Sequence, residues 1–384
     1  MSGPIYLDYN ATTPIAPEVV DEMLPYIHAH FGNPSSSYAM GRHNKEAIEK
    51  SRIQVANLIG ALPGEIIFTS GGTESNDHAI RGAVFANQQK GKHIITSQVE
   101  HPAVTEVCKY LQKQGYKITW LPVDSFGKVN PPDVEKAVRP DSVLITIMHA
   151  NNEVGTIQPI KEIGEIVKKH GVLFHTDAAQ SVGKIETGVT GLGVDLLSIA
   201  GHKLYAPKGI GALYIRDGIK LENLIFGAGQ ERGLRPGTDN VPYIVALGKA
   251  CELAKENLGT NNRHLFEMRQ RLLDGLKEKC RTTIQLNADL NNCLPNTLSI
   301  AFKKVDAHTL ASLVSNKVLF SAGSACHADS VEISPVLKAM QTDRKTAAGT
   351  VRISTGKYTT KEEIDRAVEI ISETVNKLVL EKIK

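Results

Sequence analysis

Short runs of β-branched and other apolar residues recur through the middle of the chain, at 66–69, 93–97, 143–148, 172–175, 196–199 and 211–215, with helical patterns between them. Strand-sized runs that alternate with helices mark βαβ units, and hence a mostly parallel sheet covered on both faces. One intervening helix is readable in full. Ile160, Ile163 and Val167 share a face, Pro159 stands near the start, and Gly171 follows Lys168-Lys169-His170 at the end. Sheets of this kind bind ligands beyond the carboxyl ends of their strands. The expected architecture is therefore α/β, with a site along one edge of the sheet.

Two of the runs end in residues that carry chemistry. Lys203 follows Leu196-Leu197-Ser198-Ile199-Ala200-Gly201-His202, and Asp177 closes Val172-Leu173-Phe174-His175-Thr176. An amine and a carboxylate at strand ends are what pyridoxal phosphate (PLP) requires: a lysine to form a Schiff base, and an anion to keep the pyridine nitrogen protonated. A third strand runs into Gly71-Gly72-Thr73-Glu74-Ser75, where backbone amides and the Thr73 hydroxyl could hold a phosphate at a helix start. Taken alone, that turn is equally an ordinary β-to-α connection. No G-x-x-x-x-G-K-[ST] occurs, and Gly227-Ala228-Gly229-Gln230-Glu231-Arg232-Gly233 lacks dinucleotide spacing, so ATP and NAD are not expected.

Three further residues stand out by their setting. His101, just after the 93–97 run, could lie against a planar cofactor or move protons, with a satisfied loop histidine as the alternative. Cys326 sits in Ser321-Ala322-Gly323-Ser324-Ala325-Cys326-His327-Ala328-Asp329-Ser330, small residues that suggest a mobile, exposed loop for a reactive thiolate. Cys108, among Val104, Thr105 and Val107, reads instead as a buried apolar residue. Arg352, inside Thr350-Val351-Arg352-Ile353-Ser354, fits either a substrate carboxylate or a structural ion pair.

At 384 residues and 41% hydrophobic, the chain can fill more than one core. A large domain is expected over 15–260, with 1–14 and 261–384 forming a smaller α+β domain. The polar stretch 256–264 marks the boundary, and a long helical pattern follows it. Thr360-Lys361-Glu362-Glu363 matches a capping box opening a last helix with Ile364, Val368, Ile371, Val375 and Leu378 on one face. The net charge of +3 comes from 44 basic and 41 acidic residues without a basic run, which argues against nucleic acid or an anionic membrane as a partner. Five dispersed cysteines without a C-x-x-C pair suggest no metal site and a reducing compartment. With no basic and apolar leader at the start, the expected location is cytoplasmic.

Ordered motifs along nearly the whole chain carry a resemblance. They include Tyr6-Leu7-Asp8-Tyr9-Asn10-Ala11-Thr12-Thr13-Pro14, Thr69-Ser70-Gly71-Gly72-Thr73-Glu74-Ser75, Asn151-Asn152-Glu153-Val154-Gly155, Asp177-Ala178-Ala179-Gln180-Ser181, Gly201-His202-Lys203, Arg235-Pro236-Gly237-Thr238 and Gly323-Ser324-Ala325-Cys326. The chain resembles the NifS/IscS-type cysteine desulfurases, class V of the fold-type-I PLP enzymes, and is similar to the related selenocysteine lyases. The resemblance implies a homodimer that converts L-cysteine to L-alanine, with Lys203 forming the Schiff base, Cys326 as the sulfur-accepting nucleophile, and a possible sulfur-acceptor protein. It implies Asp177 on the pyridine nitrogen, His101 against the ring, and Gln180 and Asn152 on the phenolic oxygen. Gly72, Thr73, Ser198 and His202 would complete the cofactor pocket, and Thr238 would reach the phosphate from the other subunit. Asn33, Asn152 and Arg352 would bind substrate.

Ala200 departs from the pattern, since many such desulfurases have a serine two residues before the His-Lys pair. His327 beside Cys326 leans toward the lyases. No tail of the kind by which housekeeping members engage an iron–sulfur scaffold is expected after the capped helix. Selenocysteine lyase is the alternative within the family. An aminotransferase would leave Cys326 idle, and a non-catalytic sulfur carrier would leave the cofactor residues idle.

Overall fold

The computed structural model describes residues 3–327 and 330–381, with the side chains of 324–332 outside what it describes. Seven strands form the main sheet: β1 (Ile66–Thr69), β2 (His93–Ser97), β3 (Lys117–Leu121), β4 (Ser142–Thr146), β5 (Leu173–Asp177), β6 (Leu196–Ala200) and β7 (Gly211–Ile215). Their spatial order is β1-β7-β6-β5-β4-β2-β3. All neighbours run parallel except those of β7, which is antiparallel to both β1 and β6. The mostly parallel sheet is thus as expected. β3 had no counterpart among the sequence runs: it is an edge strand with an exposed first residue and a half-buried middle, so it lacks the apolar continuity of the inner strands.

Alternate residues of each inner strand feed two different cores, which is the period-2 consequence of a sheet covered on both faces. Phe68, Ile95, Leu197, Ile199, Ala212 and Tyr214 join one core, and Ile67, Ile94, Leu196, Leu213 and Ile215 join the other. Helices Pro17–His28, Ala39–Ile59 and Val241–Glu256 pack together, their Val19, Val55 and Leu247 entering the first core. Helix Ile160–His170 runs as read from the sequence and ends at Gly171, whose φ of 61° is the left-handed conformation that glycine adopts cheaply.

A second, antiparallel sheet has the order Ser321–Ala322, Thr350–Ser354, Thr297–Phe302, Ile284–Leu286. Helices Leu258–Lys279 and Lys361–Glu381 pack on each other beside it and supply Met268, Leu272, Ile364, Val368 and Ile371 to a separate apolar core, which Ile5 and Leu7 also join. The polar stretch at 256–264 proved to be mostly helix, because Gly259-Thr260-Asn261-Asn262 forms the first turns of Leu258–Lys279. The capping box is present in full, Glu363 N donating to Thr360 Oγ1 at 3.2 Å and Thr360 N to Glu363 Oε2 at 2.9 Å.

The expected loop across 321–334 is corrected by the backbone. After Ser321–Ala322, strands Ser324–His327 and Ser330–Ile333 pair as an antiparallel hairpin, with Cys326 opposite Val331. Ser334 then caps helix Pro335–Ala339, its hydroxyl accepting from Val336 N at 3.1 Å. No helix among the described residues is long and apolar enough to cross a membrane.

Candidate active site

Because β1, β2, β4, β5 and β6 all point the same way, the residues after their last positions meet along one edge of the sheet. A cavity of about 370 Å³ there is lined by Gly72, Thr73, Asn76, His101, Asn152, Asp177, Gln180, Ala200, His202, Lys203 and Arg352, with Asn10 and Ala11 from the N-terminal segment. Nine of the residues expected from the sequence therefore line one cavity.

Asp177, at the last position of β5, is almost fully buried, and its side chain accepts from two donors: Asn76 Nδ2 to Oδ2 at 2.7 Å and Ala179 N to Oδ1 at 2.9 Å. Lys203 follows β6 on the short turn Gly201–Lys203. Its Nζ donates to the carbonyl of Ala11 at 2.6 Å and to that of Asn10. Burial, then the Arg352 cation, push the amine down from 10.5 to about 8, against the opposing pull of Asp8 and Asp177. A lysine that sheds its proton near neutral pH is a competent nucleophile and base.

His101 caps helix Pro102–Lys113, its Nδ1 accepting from Ala103 N at 3.1 Å. A ring whose Nδ1 accepts carries its proton on Nε2. Burial and the Lys203 charge outweigh the attraction of Asp177 and lower its pKa, keeping the ring neutral. His202 is driven down to about 4 by burial, then by Lys203, Lys208 and His101, and its Nδ1 lies 3.2 Å from Thr12 Oγ1.

Arg352 joins the two alternatives left open by the sequence. It lines the cavity, and it is also ion-paired: Nη2 donates to Asp8 Oδ1 at 2.7 Å and to Ser321 Oγ at 2.8 Å, while Nη1 donates to the Asn152 carbonyl at 3.1 Å. Among the described residues its buried Nε has no partner. In the same cavity, the first-turn amides at Gly72 and Thr73 have no intrahelical acceptor by position, and Gly72 packs so tightly on Ala200 that a Cβ there would come within 3.1 Å of the Ala200 methyl. The absent serine hydroxyl at position 200 is thus absent from the cavity wall itself.

Three expected residues lie elsewhere. Ser198 is fully buried one strand repeat before the edge, its hydroxyl lies 3.0 Å from His175 Nε2, and it does not line this cavity. Asn33 and Thr238 are exposed and outside this cavity. The Thr238 loop is nonetheless tied to the glycine turn, because Arg235 pairs with Glu74 at 2.9 Å. The Cys326 side chain lies outside the described part of the structure. Sequence reasoning gave no role to Asn76, Asn10 or Lys184. For Asn76 a signal existed, since it stands three residues after Thr73 and so on the same helix face.

The donor set fits PLP. Asp177 is a buried anion for a basic ring nitrogen, Lys203 an amine of lowered pKa for an aldehyde, His101 a neutral ring, and Gly72, Thr73 and His202 supply donors for a phosphate.

The aminotransferase class-V family model matches residues 5–367, and the chain belongs to that family. Among its relatives, cysteine desulfurase IscS of Methanosarcina thermophila is 48% identical over 375 residues, covering 97% of this chain and 92% of that one. A solved structure named as a NifS-like protein superposes with a TM-score of 0.91 at 40% identity, covering 96% of this chain and 98% of that one. A second, SspA in complex with cysteine, gives 0.82 at 38% identity, covering 92% and 99%.

Proposed function

We propose that this chain is a PLP-dependent cysteine desulfurase that converts L-cysteine to L-alanine and leaves the sulfur as a persulfide on Cys326. One observation carries the reading: the Lys203 amine, lowered to about 8, the Asn76-supported Asp177 side chain and Arg352 line one cavity. When bound, PLP supplies an electron-withdrawing ring that stabilises negative charge at the substrate α-carbon. The chain's own groups do the rest. Asp177 holds a proton on the ring nitrogen, Arg352 orients the substrate carboxylate, and Lys203 Nζ takes the α-proton.

Sulfur transfer needs a thiolate. The Cys326 sulfur forms a bond to the substrate sulfur, the carbon–sulfur bond breaks with its electron pair left on carbon, and a proton replaces sulfur there to give alanine. The four other cysteines are poor candidates, because burial pushes the thiols of Cys108 and Cys251 up to about 12 and those of Cys280 and Cys293 to about 11.

The reading extends to a homodimer in which Thr238 reaches the partner's phosphate and Asn33 approaches its substrate. Exposed Phe31 and Tyr38 flank Asn33 in sequence and support a covered surface there. Two domains, 15–260 and 1–14 with 261–384, are supported by the separate apolar cores. A sulfur-acceptor protein and a cytoplasmic location complete the proposal. Purified protein incubated with L-cysteine, and separately with L-selenocysteine, should release alanine in both cases and sulfide from cysteine in the presence of a thiol reductant. Selenide without any cysteine turnover would turn the reading to selenocysteine lyase.

A further inference from the structure

Lys184 is a buried amine for which the reaction has no use. It stands four residues after Gln180 in the turns that follow β5, and only 7% of its surface is exposed. Nζ donates to Gln180 Oε1 at 3.0 Å and to Asn10 Oδ1 at 3.4 Å. The charges acting on it are Lys203 and Arg352, both positive. Among the described residues its acceptors are two amide oxygens and no carboxylate, an expensive arrangement for a buried lysine.

What it accomplishes is orientation. A protonated lysine has three donors and no acceptor, so whatever faces it must be oxygen. Gln180 is thereby held with its oxygen toward Lys184 and its amide nitrogen the other way, where Nε2 donates to the Asn10 carbonyl at 2.9 Å. That carbonyl also receives Lys203 Nζ. Asn10 is held in the same manner: Oδ1 also accepts from Asn296 Nδ2 at 3.0 Å, and Nδ2 donates to Thr297 Oγ1 at 2.8 Å and to the Asn152 carbonyl at 3.2 Å. Both residues line the cavity with Lys203.

We propose that Lys184 is a positioning residue for the cofactor site, fixing the Gln180 amide so that its nitrogen, not its oxygen, is presented to the ring oxygen of PLP. The inference rests on the PLP reading above. Burial, then the Lys203 and Arg352 charges, bring this amine down to about 7, so the form that only donates dominates below that pH and there holds the Gln180 oxygen toward it most firmly.

The test uses holoenzyme without substrate and follows the visible absorption of bound PLP as pH is varied. Lys184→Met keeps the stem and removes the donors. It should move the titration midpoint up by about half a unit or more, because a ring oxygen that loses a donor holds its proton more tightly. In a Gln180→Ala background the same substitution should produce no further shift. Lys184→Gln, which keeps one amide donor, should shift the midpoint less and serves if the methionine variant does not fold. A wild-type midpoint in either single variant, or an equal shift in the Gln180→Ala background, overturns the inference while PLP binding stands. A wild-type protein that takes up no PLP overturns the proposed function, and this inference with it.

Discussion

Asn76 donates its amide to Asp177 Oδ2 at 2.7 Å across 101 residues of sequence, and both are buried. The contact keeps an anion in place where solvation is lost. A hydrogen bond to a charged group is worth about 1.5–3 kcal/mol, so Asn76→Ala should lower kcat/KM for cysteine roughly ten- to hundredfold. Asp177→Asn should cost more, because an amide cannot hold the ring proton at all. Steady-state kinetics on the two variants checks the order, and an Asn76 variant as impaired as Asp177→Asn would show that Asn76 has a role beyond the carboxylate.

The lowered Lys203 amine predicts a pH profile for loading the apoprotein. Only the neutral amine attacks an aldehyde, so PLP attachment should quicken through pH 8 and level off above it, with roughly a tenth of the plateau rate at pH 7. Burial is the largest cause and Arg352 the next, so Arg352→Gln should move the midpoint upward. Stopped-flow absorption of PLP uptake measures both. Borohydride should then fix the cofactor to Lys203, and Lys203→Ala should abolish that label.

The inner strands and the two residues at their ends were legible because a parallel sheet writes its strands as continuous apolar runs and its site at their carboxyl ends. Asn10 was not, although its motif is conspicuous: its partners Lys184, Asn296 and Thr297 lie 174 to 287 residues away, and no local period reports such contacts. Ser198 is the converse case. It lies two residues before Ala200 on the same strand, and only packing against His175 reveals that it sits beneath the cavity rather than in it.

Glu100 gives a prediction independent of the reaction. Complete burial raises its carboxyl to about 8, against donors from Ser97 Oγ at 2.5 Å and Met148 N at 3.0 Å. A carboxyl whose folded pKa lies above its unfolded value of 4.5 binds a proton on folding, so its contribution to stability falls as pH rises from about 4.5 to 8. Glu100→Gln keeps an oxygen for Met148 N and removes the ionisation. Its Tm should exceed that of the wild type by a few degrees at pH 8, about 1 kcal/mol or more, and the difference should shrink at pH 5. Equal differences at both pH values, by thermal denaturation, would show that Glu100 is ionised throughout.

Under the proposed function, Cys326 is the residue whose substitution would separate cysteine from selenocysteine chemistry. Breaking a carbon–sulfur bond in this reaction requires an acceptor for the sulfur, whereas selenium leaves carbon more readily. The alternatives within the chain are weak, since the Cys108, Cys251 and Cys293 thiols are buried and held near 11 or 12. Cys326→Ser should therefore lose cysteine desulfuration at least about a hundredfold, a barrier increase near 3 kcal/mol. It should still take up PLP with an unchanged visible spectrum and keep part of any selenocysteine activity. Persulfide labelling followed by peptide mapping should find the modification on Cys326 in the wild type after one turnover with cysteine. A label on Cys280, the half-exposed alternative, together with wild-type turnover by Cys326→Ser, would move the nucleophile there.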